Sequence, residues 1–287
     1  MERLGIALGG GGSRAFVHLG VLARLEEAGF RPSFISGSSM GAVLGALYAE
    51  EPDAENAVPR ILDYFRKSSL FGGLKRQDKG DGLHARPGAL GKLARKMATA
   101  SVAGVVSFRK GLRRLHPVNK AVDDLFGKKE TTFEQLALPF AANSLNLTRG
   151  RLEEHRSGPL APALKAGVAI GLIFAPYEWD GCQHADAAPV APVPVGMCRR
   201  LGAEKVLAVD ICAPLERPAE CYSGFDVVRR ILSMQSECLN EAEVASADSV
   251  LRIDCSDVFW ADFSAIDVLV ERGRKAAETV LEQLGKR

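Results

Sequence analysis

The stretch Phe34-Ile-Ser-Gly-Ser-Ser-Met-Gly-Ala-Val-Leu-Gly-Ala-Leu-Tyr-Ala-Glu-Glu51 begins as a strand and continues as a helix. Between the two sits Gly37-Ser38-Ser39-Met40-Gly41, in the first fifth of a 287-residue chain. In G-x-S-x-G the central serine occupies a tight strand-to-helix turn, and the flanking glycines relieve crowding around it. That spacing selects Ser39 as a nucleophile and leaves Ser38 as its neighbour.

One βα unit upstream, Leu8-Gly-Gly-Gly-Gly-Ser-Arg-Ala15 places Gly9 to Gly12 between a predicted strand, Leu4–Leu8, and a predicted helix over 13–30. Gly10, Gly12 and Ala15 satisfy the dinucleotide-binding fingerprint, but the second strand ends in Ile35-Ser36-Gly37 without the acid that would hold a ribose. A Walker loop cannot be aligned either. What remains is a set of backbone N–H groups at a helix start, with Arg14 adding positive charge, suited to a negative oxygen. An oxyanion formed in acyl transfer is such a group.

A serine needs a base. An α/β-hydrolase runs serine, acid, histidine along the chain. The five histidines here are His18, His84, His116, His155 and His184, and none follows 184, where a last-strand histidine belongs. His18 reads as a packed or capping histidine on the first helix. A carboxylate acting directly as base is the better candidate, given an environment that raises its proton affinity.

These motifs resemble those of the patatin-like phospholipase family, specifically its short bacterial cytoplasmic members, over nearly the whole length. Residues 8–30 resemble the family's glycine-rich oxyanion motif and Gly37–Gly41 its nucleophile elbow. Residues 158–195, "GPLAPALKAGVAIGLIFAPYEWDGCQHADAAPVAPVPV", resemble the segment carrying its catalytic aspartate. The resemblance implies a Ser39–Asp186 dyad hydrolysing lipid acyl esters without metal or cofactor. It assigns Gly10, Gly11, Gly12 and Arg14 to the oxyanion region, and Gly37 and Gly41 to the elbow. Asp180-Gly181 reads as a turn. The chain departs from the family's glycines at Ala15, Ala187 and Ala188. If position 187 needs a positive φ, alanine there strains the loop that carries Asp186. A degenerate member that binds lipid or a protein partner with little turnover is the alternative reading.

The rest of the chain alternates strand and helix: a helix from Ala42 and another to about Phe65, then one opening at Pro117. A strand pair follows around Thr148-Arg149-Gly150, with strands at 205–211 and 250–254. In the last helix Ile266, Leu269, Val270, Gly273, Ala277, Val280, Leu281 and Leu284 share one face. The expected architecture is one domain over 1–287, a three-layer α/β sandwich of the patatin type with a mainly parallel sheet and a helical basic cap over 66–120.

Composition fits a soluble globular protein, with 47% hydrophobic and 25% charged residues. The charge is uneven. Arg66 to Lys120 carries fourteen Lys/Arg against Asp78 and Asp81, a net +12 that leaves −10 for the rest of a chain totalling +2. Interleaved with apolar residues, that segment suits an anionic phospholipid surface, at ~1 kcal/mol per charge. Only Phe71 and Phe108 follow Phe65 in it, too few aromatics for a nucleic-acid platform. No signal peptide or spanning run is read, and none of the six cysteines forms a C-x-x-C pair. The expectation is a cytoplasmic protein with free thiols, in peripheral contact with the inner membrane surface, without a metal-type ligand cluster. Oligomeric state and head group are not legible.

Overall fold

The computed structural model describes residues 3–68, 116–127, 130–171, 174–211 and 224–285. The basic segment 66–120, expected as a helical cap, therefore lies outside the described residues except at its two ends.

The strands are β1 (Leu4–Leu8), β2 (Phe34–Gly37), β3 (Phe140–Asn146), β4 (Arg151–His155), β5 (Tyr177–Trp179), β6 (Cys182–Ala185), β7 (Lys205–Asp210) and β8 (Ser249–Arg252). They form one sheet in the order β5-β6-β3-β2-β1-β7-β8, with β4 also paired to β3. The pairs β3–β2, β2–β1, β1–β7 and β7–β8 are parallel, while β3–β4, β3–β6 and β5–β6 are antiparallel. The sheet is thus mixed, with a parallel centre and an antiparallel end.

Both faces are covered, which is why β1 and β7 read as unbroken apolar runs rather than alternating ones. Ile6 and Leu8 of β1 belong to the larger core, and Ala7 between them belongs to the smaller one behind the sheet. The larger core holds α1 (Val17–Glu27), α2 (Ser39–Glu50), α3 (Ala54–Lys67), α4 (His116–Leu125), α5 (Leu160–Gly167) and α8 (Ile266–Gly285). The smaller holds α6 (Val195–Arg200) and the end of α7 (Gly224–Val244). In α2 every residue from Ser39 to Ala49 is buried, as expected of a helix apolar all round.

The structure shifts two boundaries. Gly12–Phe16 is a 3-10 turn leading into α1 at Val17, not the start of one continuous helix. Helix α2 begins at Ser39, three residues before the expected Ala42, because the extended Ser38 serves as its cap residue. The apolar face read in the last helix is buried at Ile266, Leu269, Val270, Gly273, Ala277 and Val280. Among the described residues no helix is long and apolar enough to cross a membrane.

Candidate active site

Strand β2 ends at Gly37, Ser38 is extended, and Ser39 takes a φ of 52° at the head of α2. A left-handed backbone on a residue with a Cβ costs on the order of 1 kcal/mol and persists only where packing enforces it. Here the enforcement is close approach. A Cβ at Gly41 would lie 2.5 Å from the Gly9 carbonyl oxygen, and one at Gly37 would lie 2.5 Å from Ala42 Cα. The two serines then diverge. Ser38 is fully buried, its Oγ without a hydrogen-bond partner among the described residues. Ser39 Oγ donates to Asp186 Oδ2 at 2.6 Å.

Sheet register brings that aspartate to the elbow. Ala142 of β3 pairs with Gly37 of β2 and with His155 of β4, so β2 and β4 flank opposite edges of β3. Leu145 pairs with Leu152 of β4 and Ala185 of β6, so β6 continues along the edge that β2 has left. The C-terminal ends of β2 and β6 therefore face each other across a short gap, and Ser39 and Asp186 fill it. Asp186 N donates to the Ala169 carbonyl at 3.0 Å. Its Oδ1 accepts from the Ala188 N–H at 2.8 Å. Burial raises the Asp186 pKa to about 6, against the hydrogen bonds from Ser39 Oγ and Ala188 N–H to its carboxylate, which lower it.

The strain expected at Ala187 is absent. Among the described residues the non-glycine positions with positive φ are Ser39, Glu130 and Asp180. Ala187 is fully buried, and its carbonyl accepts from Val190 and Ala191 at 2.8 Å each in the turn that follows. Asp180 and Gly181, with φ of 49° and 66°, make the two-residue turn between β5 and β6.

The glycine loop divides its work. Gly9 N–H donates to the Val209 carbonyl at 3.1 Å and Gly10 N–H to the Pro192 carbonyl at 3.0 Å. The N–H groups of Gly11 and Gly12 meet no acceptor among the described residues. Gly10 is the closest approach, since a Cβ there would stand 3.1 Å from Ser39 Cβ and 3.0 Å from Ala188 Cβ. Arg14 Nε donates to the Val258 carbonyl at 2.8 Å, bracing the loop against residues 255–258. Sequence reading missed one donor set: the first N–H groups of α2, Met40 included, have no intrahelical acceptor and sit at the positive end of the helix dipole. The elbow motif itself is their signal.

Histidine does not reach the serine. His18 is fully buried, its pKa lowered to about 4 by desolvation, so the neutral ring donates from Nε2 to the Gly9 carbonyl at 2.7 Å. His155 and His184 both contact Ser144 Oγ. His84 lies outside the described residues, as does the side chain of His116. Among the described residues, the ionisable group bonded to Ser39 is Asp186. A buried carboxylate 2.6 Å from a hydroxyl on a strained elbow can take that hydroxyl's proton.

A family model described as patatin-like phospholipase matches residues 6–199. The lysophospholipase NTE1 of Mycosarcoma maydis is 26% identical over 304 residues, covering 97% of this chain and 15% of that protein. The patatin-like phospholipase domain-containing protein ZK370.4 of Caenorhabditis elegans is 30% identical over 308 residues, covering 98% of this chain and 21% of that protein. The chain spans about a fifth or less of the length of these curated relatives. Among solved structures, VipD from Legionella pneumophila aligns with a TM-score of 0.53 at 16% identity, covering 98% of this chain and 67% of that one. That likeness is one of fold.

Proposed function

The chain belongs to the patatin-like phospholipase family, and from that membership we propose that it hydrolyses acyl esters of phospholipids or lysophospholipids through a Ser39–Asp186 dyad. The observation that carries the reading is the 2.6 Å hydrogen bond from Ser39 Oγ to Asp186 Oδ2 in a buried site.

In this mechanism Ser39 Oγ attacks the ester carbonyl carbon while its proton passes to Asp186. The carbonyl π electrons move onto oxygen, and the N–H groups of Gly11, Gly12 and Met40 are the candidates to hold that oxyanion. Each such donor is typically worth ~3 kcal/mol. Collapse of the tetrahedral intermediate expels the lipid alkoxide, which takes the proton back from Asp186. Water then gives a proton to Asp186 and attacks the acyl-serine, and collapse releases the fatty acid and restores Ser39. A base with pKa near 6 is mostly ionised at neutral pH yet still basic enough to accept the proton.

The basic segment extends the proposal to where the substrate is met. A net +12 over 66–120 suits an anionic bilayer surface, with attraction that weakens as the Debye length falls from about 10 Å at 0.1 M salt to 3 Å at 1 M. Replacing Arg109, Lys110, Arg113 and Arg114 with glutamine is then expected to lower activity on anionic vesicles and spare a soluble ester.

Fatty-acid release from phospholipid vesicles and lysophospholipid micelles tests the reaction. Release by the wild type that disappears in Ser39→Ala supports it. Lipid binding without release by the wild type would leave a lipid-binding protein instead.

A further inference from the structure

At the antiparallel end of the sheet, β4, β3 and β6 run side by side, and their pairing gathers residues that no sequence spacing brings together. Ser144 on the central strand is paired with Glu153, and Asn146, two residues on, is paired with His184. Glu153 and His155 share one face of β4, because residues two apart on a strand point the same way. His155 Nε2 and His184 Nδ1 both meet Ser144 Oγ, at 2.8 and 3.0 Å. Glu153 Oε2 lies 4.0 Å from His184 Nδ1. One ligand atom from each of Glu153, His155 and His184 falls within 4.8 Å of the others.

We propose that Glu153, His155 and His184 form a binding site for a divalent transition metal of the zinc type, separate from the Ser39–Asp186 pair. Two imidazoles and a carboxylate are a donor set that suits zinc, with Ser144 Oγ or a water as fourth ligand. Tetrahedral donors at zinc distances stand ~3.4 Å apart, so the 4.0 Å separation closes by small side-chain rotations. The surroundings are built to orient the ligands. Glu153 Oε1 accepts from Arg151 Nε at 3.0 Å and Nη2 at 2.9 Å, which leaves Oε2 on the side of His184. The ring of Trp179 lies 5.2 Å from the His155 ring and 5.7 Å from the His184 ring. Strands β3, β4 and β6 are all paired, so the ligands stand on fixed backbone rather than on loops.

The metal-free network is a hydrogen-bonded one. A hydroxyl has one hydrogen to give, so Ser144 donates to one imidazole and accepts from the other. Metal binding needs both of those nitrogens as lone pairs. The N–H hydrogen facing Ser144 must therefore move to the other ring nitrogen or to solvent, and the hydroxyl must turn. His184 sits two residues before Asp186, so a bound ion would clamp the strand that leads into the candidate base. The sequence reading, which found no metal-type cluster, had no spacing from which to assemble these ligands.

The test uses chelator-treated full-length protein titrated with zinc, followed by calorimetry and tryptophan emission. Trp179 and Trp260 are the two tryptophans, and Trp179 adjoins both imidazoles. The expected result is 1:1 binding, a change in emission, and a rise in thermal midpoint as zinc is added. Glu153→Gln and His155→Gln should each weaken binding by at least the ~10–100-fold that lost outer-shell partners cost. Cys238→Ser, which removes an exposed thiol, should bind as the wild type does. Cobalt in the wild type gives a readout that does not depend on any variant folding: the expected visible bands are those of nitrogen and oxygen ligands, without thiolate charge transfer. No binding, binding unchanged in folded Glu153→Gln, or a thiolate band from cobalt would each overturn the proposal.

Discussion

Ser39 Oγ and Asp186 Oδ2 stand 2.6 Å apart although 147 residues separate them in the chain. The contact follows from strand order. Strand β3 is bordered along one edge first by β2, parallel to it, and then by β6, antiparallel to it, so the C-terminal ends of β2 and β6 meet. Asp186 is held from three sides, by its own N–H to Ala169, by Ala188 N–H and by Ser39 Oγ. A carboxylate so fixed has little freedom to reach another partner.

Ser39→Ala and Asp186→Asn are each expected to lower hydrolysis of a short-chain ester by ~10³-fold or more, as loss of a nucleophile or base does in serine hydrolases. Ser38→Ala should keep most activity, because Ser38 Oγ is buried without a bond to the site. Steady-state rates on folded variants check this. A Ser38→Ala enzyme as impaired as Ser39→Ala would reverse the assignment of the two serines.

The pH dependence has a defined sign. Asp186 must be ionised to accept a proton, so kcat/KM should rise with pH through a midpoint near 6. The same shift acts on stability. A carboxyl with its folded pKa raised from 3.8 to about 6 binds protons more tightly when folded, so its contribution favours the fold most below pH 4. That contribution falls between pH 4 and 6 and is lost above. Asp186→Asn should therefore be more stable than wild type at pH 8, on the order of 3 kcal/mol, with the gain shrinking toward pH 4. Denaturant unfolding at the two pH values measures it, and equal differences at both would contradict a buried, proton-hungry carboxyl.

Much of this site was legible before the fold. The elbow and glycine loop are contiguous motifs whose backbone demands show as glycines, so Ser39 and the loop residues could be named from spacing. Asp186 could be named only by family resemblance, because its partnership with Ser39 depends on β6 following β2 along one edge of β3. The short β5 and β6, at three and four residues, carry too little periodicity to be read as strands. The division of labour within the loop was likewise hidden. Nothing in four successive glycines says that Gly10 N–H is taken by Pro192, or that Arg14 turns to Val258.

Gly10→Ala should separate tight packing from simple glycine content. Its new Cβ would press on Ser39 Cβ and Ala188 Cβ, and displacing either partner of the dyad can cost ~100-fold in rate. Gly171→Ala is the control, since among the described residues a Cβ there meets nothing within 4 Å. Comparable losses of kcat in both variants would mean that the loop's approach to Ser39 is not what limits the rate.

Ala187→Gly is expected to change kcat by less than about twofold, since Ala187 carries no positive φ to relieve. It should lower stability by roughly 0.5–1 kcal/mol through added chain entropy. A large gain in activity would show strain that the backbone does not display.

The most direct measurement of the central claim is covalent labelling with a fluorophosphonate, which reports an activated serine without a natural substrate. The wild type should be labelled once, on Ser39. Ser39→Ala should not be labelled, and Asp186→Asn should be labelled far more slowly. Labelling of Ser39→Ala at the wild-type rate, or a folded wild type that does not react, would contradict a Ser39–Asp186 dyad.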